Sequence, residues 1–188
     1  MSVKLKQVFS GKRLDEVHAL YETAFPASEK KPFSMIVSGQ GTGLVEILSL
    51  EENNRFLGLA IMAKAGDRVL LDYFAIADEV RGHGAGSAAL QALRERYQDM
   101  RIIIEIESTK CEDEEELALR TRRKKFYLRN GFTMLPYYID LWGTEMEMLS
   151  NGQPCPYEEY LDIYTTAFGT KVSDKIHFLG DAPAADEI

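Results

Sequence analysis

The sequence predicts an α/β (α+β) fold built on one mixed β-sheet. Residues 42–77 hold three apolar segments separated by short turns, a pattern typical of a three-stranded antiparallel meander. A glycine-rich turn and an amphipathic helix follow, and the apolar segment "RIIIEIES" comes after that helix. Because a strand–helix–strand connection makes its two strands parallel, the meander is expected to continue into a parallel βαβ unit.

The elements before the meander are predicted from periodicity and prolines. "VKLKQVFS" alternates apolar residues and predicts a short strand, and "RLDEVHALYETAFP" has one apolar helical face ended by Pro26. "SEKKPFSMIVSGQG" is either a second short helix or an ordered loop broken by Pro32. Within the meander, Asn53 and Asn54 suit a hairpin turn.

The later elements follow the same logic. A helix is predicted from near Gly84, and another from Asp113 to Arg129, whose acidic start and basic end match the helix dipole. "FTMLPYYIDLW" and "GTEMEML" predict a second hairpin. Prolines and glycines then become frequent, which predicts a domain over residues 1–150 and a C-terminal extension over 151–188. The extension should hold one helix, "YEEYLDIYTTAF", and a frayed end, "GDAPAADEI".

Composition limits the classes of partner. The net charge of −8 argues against a nucleic-acid partner, because phosphates require a basic surface. No segment approaches membrane-spanning length and the start of the sequence does not resemble a signal peptide, so no membrane partner and a cytoplasmic location are expected. The two cysteines and three histidines lack metal-ligand spacing, which predicts no metal site.

The glycine-rich turn, "RGHGAGS", predicts an anion site. The first turn of a helix leaves its N–H groups unpaired and partly positive, and glycines lack the Cβ atoms that would keep a phosphate away. Arg81 adds a positive charge beside Gly82, Gly84 and Gly86. The alternative is a βα turn that is glycine-rich without binding anything.

The surrounding residues carry a resemblance to a known family. "FAIADEVRGHGAGSAAL" resembles the acetyl-CoA-binding motif of the GNAT superfamily of N-acetyltransferases, whose signature is filled here by Arg81, Gly84 and Gly86. "KKFYLRNGF" resembles a later element of the same family. The resemblance implies a GNAT-like sheet in which the two central parallel strands splay apart.

The resemblance also implies where acetyl-CoA, the co-substrate, would bind. Amides around the glycine turn would hold the pyrophosphate, and the backbone of the preceding strand would pair with the pantetheine arm. Many family members have Asn where this chain has Arg120, so a contact from that helix would use Arg120 or Arg123. The implied cofactor-binding residues are Phe74, Ala75, Ile76, Arg81, Gly82, His83, Gly84, Ala85, Gly86 and Ser87.

Transfer of an acetyl group to an amine needs a base for the ammonium and an acid for the thiolate. Tyr127 lies where the family's general acid usually lies, although it could simply pack on its helix. Asp72, Glu105 and Glu107 interrupt apolar strands and are the candidate bases, because acids in such strands are rarely buried without a partner. The alternative is that these three acids point to solvent.

The acceptor side is predicted from the segment between the first helix and the meander. Phe25, Glu29 and Phe33 could supply an apolar wall and a partner for an ammonium group, or the segment could be only a loop fixed by its prolines. Two functions fit: an N-acetyltransferase acting by direct attack on a small-molecule or peptide amine, and a non-catalytic acyl-CoA-binding module. The aromatic segment in the extension suggests a homodimer.

Overall fold

The computed structural model describes residues 2–182, and within them one mixed sheet has the order β1-β2-β3-β4-β5-β7-β6-β8. The strands are β1 (Lys4–Gln7), β2 (Val45–Glu52), β3 (Arg55–Ala65), β4 (Arg68–Ile76), β5 (Arg101–Glu107), β6 (Thr133–Leu141), β7 (Thr144–Ser150) and β8 (Ile176–Asp181). The helices are α1 (Lys12–Ala24), α2 (Phe33–Gly41), α3 (Ala85–Arg96), α4 (Glu114–Arg129), α5 (Tyr157–Phe168) and α6 (Thr170–Ser173).

The predicted α/β fold is confirmed. Strands β2, β3 and β4 form the antiparallel meander, and β4 pairs in parallel with β5. Asn53 and Asn54 have φ values of 51° and 63°, the left-handed conformation that a tight hairpin turn requires. The segment after Pro32 is a helix, because α2 begins at Phe33, where a preceding proline costs no helical hydrogen bond.

Helices cover both faces of the sheet. Alternate residues of the strands point to opposite faces, so Leu48 and Leu50 pack with α3 and α4, whereas Ile47 packs with α1 and α2 on the other face. Helix α5 lies on that second face and contacts β3 and β4. Helix α5 therefore reaches the two strands that precede the glycine turn.

The C-terminal extension contributes more than was predicted. It holds α5, as expected, but also α6 and strand β8, which pairs with β6 and replaces part of the predicted frayed end. The sequence pattern missed β8 because only Ile176 of this edge strand is buried, so no alternation marks it. Residues 183–188 of the predicted frayed end lie outside the described residues. The division into residues 1–150 and 151–188 remains a prediction.

The aromatic residues of α5 are used inside the chain. Tyr160, Ile163 and Tyr164 are buried in a cluster with residues of β3, β5 and β6. The feature that suggested a homodimer is therefore part of the chain's own core, and the dimer remains a prediction without that support. None of the helices in residues 2–182 is both long and apolar enough to cross a membrane.

Candidate active site

A cavity opens where the two parallel strands separate. Strands β4 and β5 are paired only where Arg68–Leu71 of β4 lie beside Arg101–Ile104 of β5. Beyond this point β4 stays paired with β3 and β5 pairs with β7, so their facing edges separate. The cavity at the gap has a volume of about 880 Å³. The separation of the central strands agrees with the sequence-based expectation.

A β-bulge in β4 places Asp72 at the start of the gap. Ile61 of β3 pairs with Tyr73 and Met62 pairs with Leu71, so Asp72 is the extra residue without a partner. A bulge bends the strand and redirects a side chain. Asp72 is thus buried and lines the cavity together with Glu105, the first residue of β5 beyond the parallel pairing.

The glycine turn leaves backbone amides open at the start of α3. Gly82 and Gly84 have φ values of 82° and 83°, which favour glycine, and a Cβ atom on either would meet nothing within 4 Å. Gly84 caps α3 without any side-chain hydrogen bond to the first turn. Gly86 has a different role, because a Cβ there would lie 3.1 Å from Phe126, so it allows α3 to pack against α4.

The other predicted cofactor residues lie around the same space. Phe74, Ala75 and Ile76 line the cavity along the β4 edge that faces the gap. Arg81 donates from Nε to the Ile76 carbonyl at 3.0 Å. His83 lines a second groove, which shares Gly84, Ser87 and Arg129 with the cavity. Four arginines line the cavity: Arg81, Arg122, Arg123 and Arg129.

Asp72 and Glu105 form a hydrogen-bonded acid centre. Tyr164 donates to Glu105 Oε2 at 3.2 Å and lies 3.5 Å from Asp72 Oδ1, while Tyr160 donates to Glu105 Oε1. Burial, and then the charge of Asp72, raise the pKa of Glu105 to about 7. Burial also raises the pKa of Asp72, although the ammonium group of Lys31 offsets part of this effect.

Lys31 is a component of the site that the sequence analysis missed. Its Nζ donates to Asp72 Oδ1 at 2.7 Å, and its side chain is only 3% exposed. The Nζ atom also lies 4.8–5.0 Å from the ring centres of Tyr73, Trp142, Tyr164 and Phe168, a distance suited to cation–π attraction. "EKKPF" gives no sign of this burial, because adjacent lysines before a proline are typical of a surface loop.

Glu107 is held in ion pairs rather than pointing to solvent. Arg123 contacts Glu107 Oε2, and Arg120 Nη2 lies 3.3 Å from Glu107 Oε1. Arg120 also donates to the Ser108 carbonyl at 3.1 Å and does not line the cavity. Of the two arginines proposed to replace the family's Asn, Arg123 therefore lies at the cavity and Arg120 does not.

Tyr127 lies in the last turn of α4 and lines the cavity. Its ring packs edge-on against Phe126 and Phe132, with ring centres 5.2 and 6.0 Å apart. Burial raises the pKa of Tyr127 to about 12, so the hydroxyl keeps its proton at neutral pH. Tyr127 therefore both packs on its neighbours and contacts the cavity, and its protonated hydroxyl is the form that a general acid requires.

The predicted acceptor residues are only partly brought together. Phe25 and Glu29 line the cavity, and Tyr73 donates to the Glu29 carbonyl at 2.9 Å. Burial raises the pKa of Glu29. Phe33 does not line the cavity, because at the start of α2 its ring stacks on His18 with centres 4.1 Å apart.

Comparisons with known proteins agree with this geometry. Residues 44–134 match the family model described as the acetyltransferase (GNAT) domain. A search of curated proteins found no match to the sequence. A GNAT-family protein from Bacteroides thetaiotaomicron has a similar structure, with a TM-score of 0.75 and 19% identity over 89% of this chain and 99% of its own. At such identities the similarity shows the fold.

Two further solved structures share the fold. An aminoglycoside 6'-N-acetyltransferase complexed with coenzyme A has a TM-score of 0.62 and 12% identity, covering 81% of this chain and 99% of its own. The ribosomal-protein-S18-alanine N-acetyltransferase from Escherichia coli has a TM-score of 0.57 and 16% identity, covering 83% and 97%.

The separated parallel strands, the bulged β4 and the open glycine turn all lie within the residues that match this domain model. Residues 44–134, which run from just before β2 into β6, therefore form a GNAT-type acetyltransferase domain, and the similar solved structures share its fold.

Proposed function

We propose that the chain transfers an acetyl group from acetyl-CoA to a primary amine by direct attack in a ternary complex. The observation that carries this proposal is a single cavity that joins the open amides of the glycine turn to the buried acids Asp72 and Glu105. An anion site and a proton acceptor in one cavity are what the two substrates require.

The residues present fit coenzyme A. The uncapped first turn of α3 offers N–H groups and positive partial charge to a diphosphate, and no Cβ at Gly82 or Gly84 would obstruct it. The cavity arginines supply full positive charge in a chain whose net charge is negative. The edge of β4 from Phe74 to Ile76 faces the gap and offers backbone groups to the pantetheine arm. Acetyl-CoA supplies the acetyl thioester.

Among the three candidate bases, Glu105 fits best. Its pKa of about 7 makes it both available as a carboxylate and basic enough to accept a proton near neutral pH. Asp72 forms an ion pair with Lys31, and Glu107 forms ion pairs with Arg120 and Arg123. A carboxylate that is already paired with a cation is a weaker proton acceptor. The role of Asp72 in this proposal is to hold cationic groups beside Glu105, since its Oδ2 is buried without a hydrogen-bond partner in residues 2–182.

Tyr127 is proposed as the general acid. It lines the cavity and stays protonated at neutral pH, so it can donate a proton to the departing thiolate. The acceptor is proposed to be a cationic amine of a small molecule or peptide. Glu29 lines the cavity with Phe25 and Trp142, a combination of negative charge and aromatic surface suited to an ammonium group.

The test combines binding and turnover. Calorimetry should show acetyl-CoA binding, and a screen of polyamines, aminoglycosides, amino acids and peptides should show release of free thiol. Glu105→Gln should lower turnover by about 100-fold or more, the usual worth of general-base catalysis. Glu112→Gln, on an exposed residue that does not line the cavity, is the matched control and should leave turnover unchanged.

Three outcomes contradict the proposal in different ways. Binding of acetyl-CoA without turnover on any amine would favour the non-catalytic acyl-CoA-binding module. Absence of acetyl-CoA binding by the folded protein would overturn both functions. If Glu105→Gln and wild type turn over at the same rate, Glu105 is not the general base.

A further inference from the structure

The chain places one of its own primary amines at the closed end of the cavity. Lys31 Nζ lies against Asp72, the residue at which the parallel strands begin to separate. Leu71 and Ile104 close the gap immediately beyond it, because there the strands are paired again. The pantetheine arm of a coenzyme A that enters between the strands from the glycine turn and follows the β4 edge must therefore end beside Asp72.

Lys31 is held in the way that an enzyme holds an amine substrate. Four aromatic rings and one carboxylate surround its ammonium group, and it is the one lysine among the described residues that line the cavity. Its backbone is fixed too, because its N–H donates to the Tyr73 hydroxyl at 2.9 Å and the Tyr21 hydroxyl donates to its carbonyl at 2.7 Å. The amine is thus oriented before any reaction begins.

We propose that Lys31 is a self-acetylation site: its amine accepts the acetyl group of acetyl-CoA bound in the same chain. This inference rests on the proposed function, because it requires acetyl-CoA in the cavity. It goes beyond that function by naming a covalent modification of a particular residue. It also implies that, before modification, Lys31 occupies the place beside Asp72 that an external ammonium group would take.

The step balances with the groups present. The ammonium gives one proton to the Asp72 carboxylate, which already accepts its N–H. The neutral Nζ then forms a bond to the acetyl carbonyl carbon, the carbon–sulfur bond breaks, and its electron pair leaves on sulfur. Of the two protons that Nζ loses, one ends on sulfur to give the thiol and the other passes to solvent. The products are N-acetyl-Lys31 and coenzyme A.

The experiment compares two acetylating reagents by peptide mapping in a mass spectrometer. With acetyl-CoA alone, wild-type protein should gain one acetyl group at Lys31, and far less at Lys12, whose side chain is 90% exposed. With a small chemical acetylating reagent and no coenzyme A, the order should reverse, because Lys31 is buried. Positioning and base assistance predict a Lys31-to-Lys12 ratio about 100-fold or more higher with acetyl-CoA than with the chemical reagent.

A second readout reports on the surroundings of Lys31. Trp142, the one tryptophan of the sequence, lies 4.9 Å from Lys31 Nζ, and acetylation removes the positive charge beside its ring. Its fluorescence should change with the same time course as the mass increase. The first-order rate should not depend on protein concentration, as a reaction within one chain requires. Lys31→Arg should abolish both signals, whereas Lys30→Arg, at the neighbouring lysine that pairs with Glu22, should keep both.

The failure of this inference is distinguishable from the failure of the proposed function. A protein that acetylates an external amine while Lys31 stays unmodified overturns self-acetylation and leaves the proposed function standing. A folded protein that does not bind acetyl-CoA overturns both. Equal modification ratios with the two reagents, or a rate proportional to protein concentration, would also overturn the assignment.

Discussion

Replacing Glu105 by glutamine should make the protein more stable at alkaline pH while lowering its turnover. The cause is the burial of Glu105, which raises its pKa in the folded state from an ordinary 4.5 to about 7. As pH rises through this window, the carboxyl ionises in the unfolded chain before it ionises in the folded one. Ionisation therefore favours the unfolded state, and stability falls between these two pKa values.

The size of the effect follows from the pKa shift. A shift from 4.5 to about 7 corresponds to roughly 3 kcal/mol, at about 1.4 kcal/mol for each pKa unit. Glutamine resembles the neutral carboxyl and can keep hydrogen bonds to Tyr160 and Tyr164. Glu105→Gln should thus be about 3 kcal/mol more stable than wild type at pH 8, and about 1 kcal/mol or less at pH 5.

The assay is thermal unfolding of both proteins at pH 5 and pH 8. For a domain of this size about 1 kcal/mol shifts Tm by 2–4 °C, so the variant's Tm should be roughly 6–12 °C higher at pH 8. Glu107→Gln is the matched control, two residues along the same strand. It removes the partner of Arg120 and Arg123 and should not raise stability at pH 8.

Either of two results would refute this reasoning. If Glu105→Gln and wild type unfold at the same temperature at pH 8, burial does not raise the pKa of Glu105. Its assignment as the base, which depends on that raised pKa, would then be wrong. The same holds if the difference between the two proteins does not depend on pH.

Three further predictions concern the rest of the site. Gly84→Val should weaken acetyl-CoA binding sharply by calorimetry, because the new side chain projects into open space at the glycine turn; Gly152→Val has similar backbone strain away from the cavity and should bind normally. Tyr127→Phe should lower turnover by about 100- to 10,000-fold with unchanged acetyl-CoA affinity, and turnover within about twofold of wild type would exclude the acid role. Lys31→Met leaves Asp72 buried without its partner and should cost about 3–5 kcal/mol in urea unfolding at neutral pH, with the cost shrinking as acid protonates Asp72.

The sequence was sufficient wherever a feature depends on neighbours along the chain. Periodicity predicted α1, α3, α4 and the meander, and the glycine turn was recognised from the spacing of its residues. Its two left-handed glycines, Gly82 and Gly84, confirm that the backbone conformation required glycine. Asp72 and Glu105 were also identified, because an acid inside an apolar strand is unusual in any fold.

Only the tertiary structure decided how those acids are arranged. Lys31 meets Asp72 across 41 positions, and Tyr160 and Tyr164 meet Glu105 across 55 and 59 positions, separations at which no local pattern carries information. The bulge that directs Asp72 into the cavity arises from the pairing of β4 with β3, and the tyrosines arrive on a helix that the sequence placed in an appendage. The sequence by itself determined the elements, the glycine turn and the candidate acids. The tertiary structure decided which acid is paired, which is strained and which amine lies beside them, because charge and burial depend on neighbours in space.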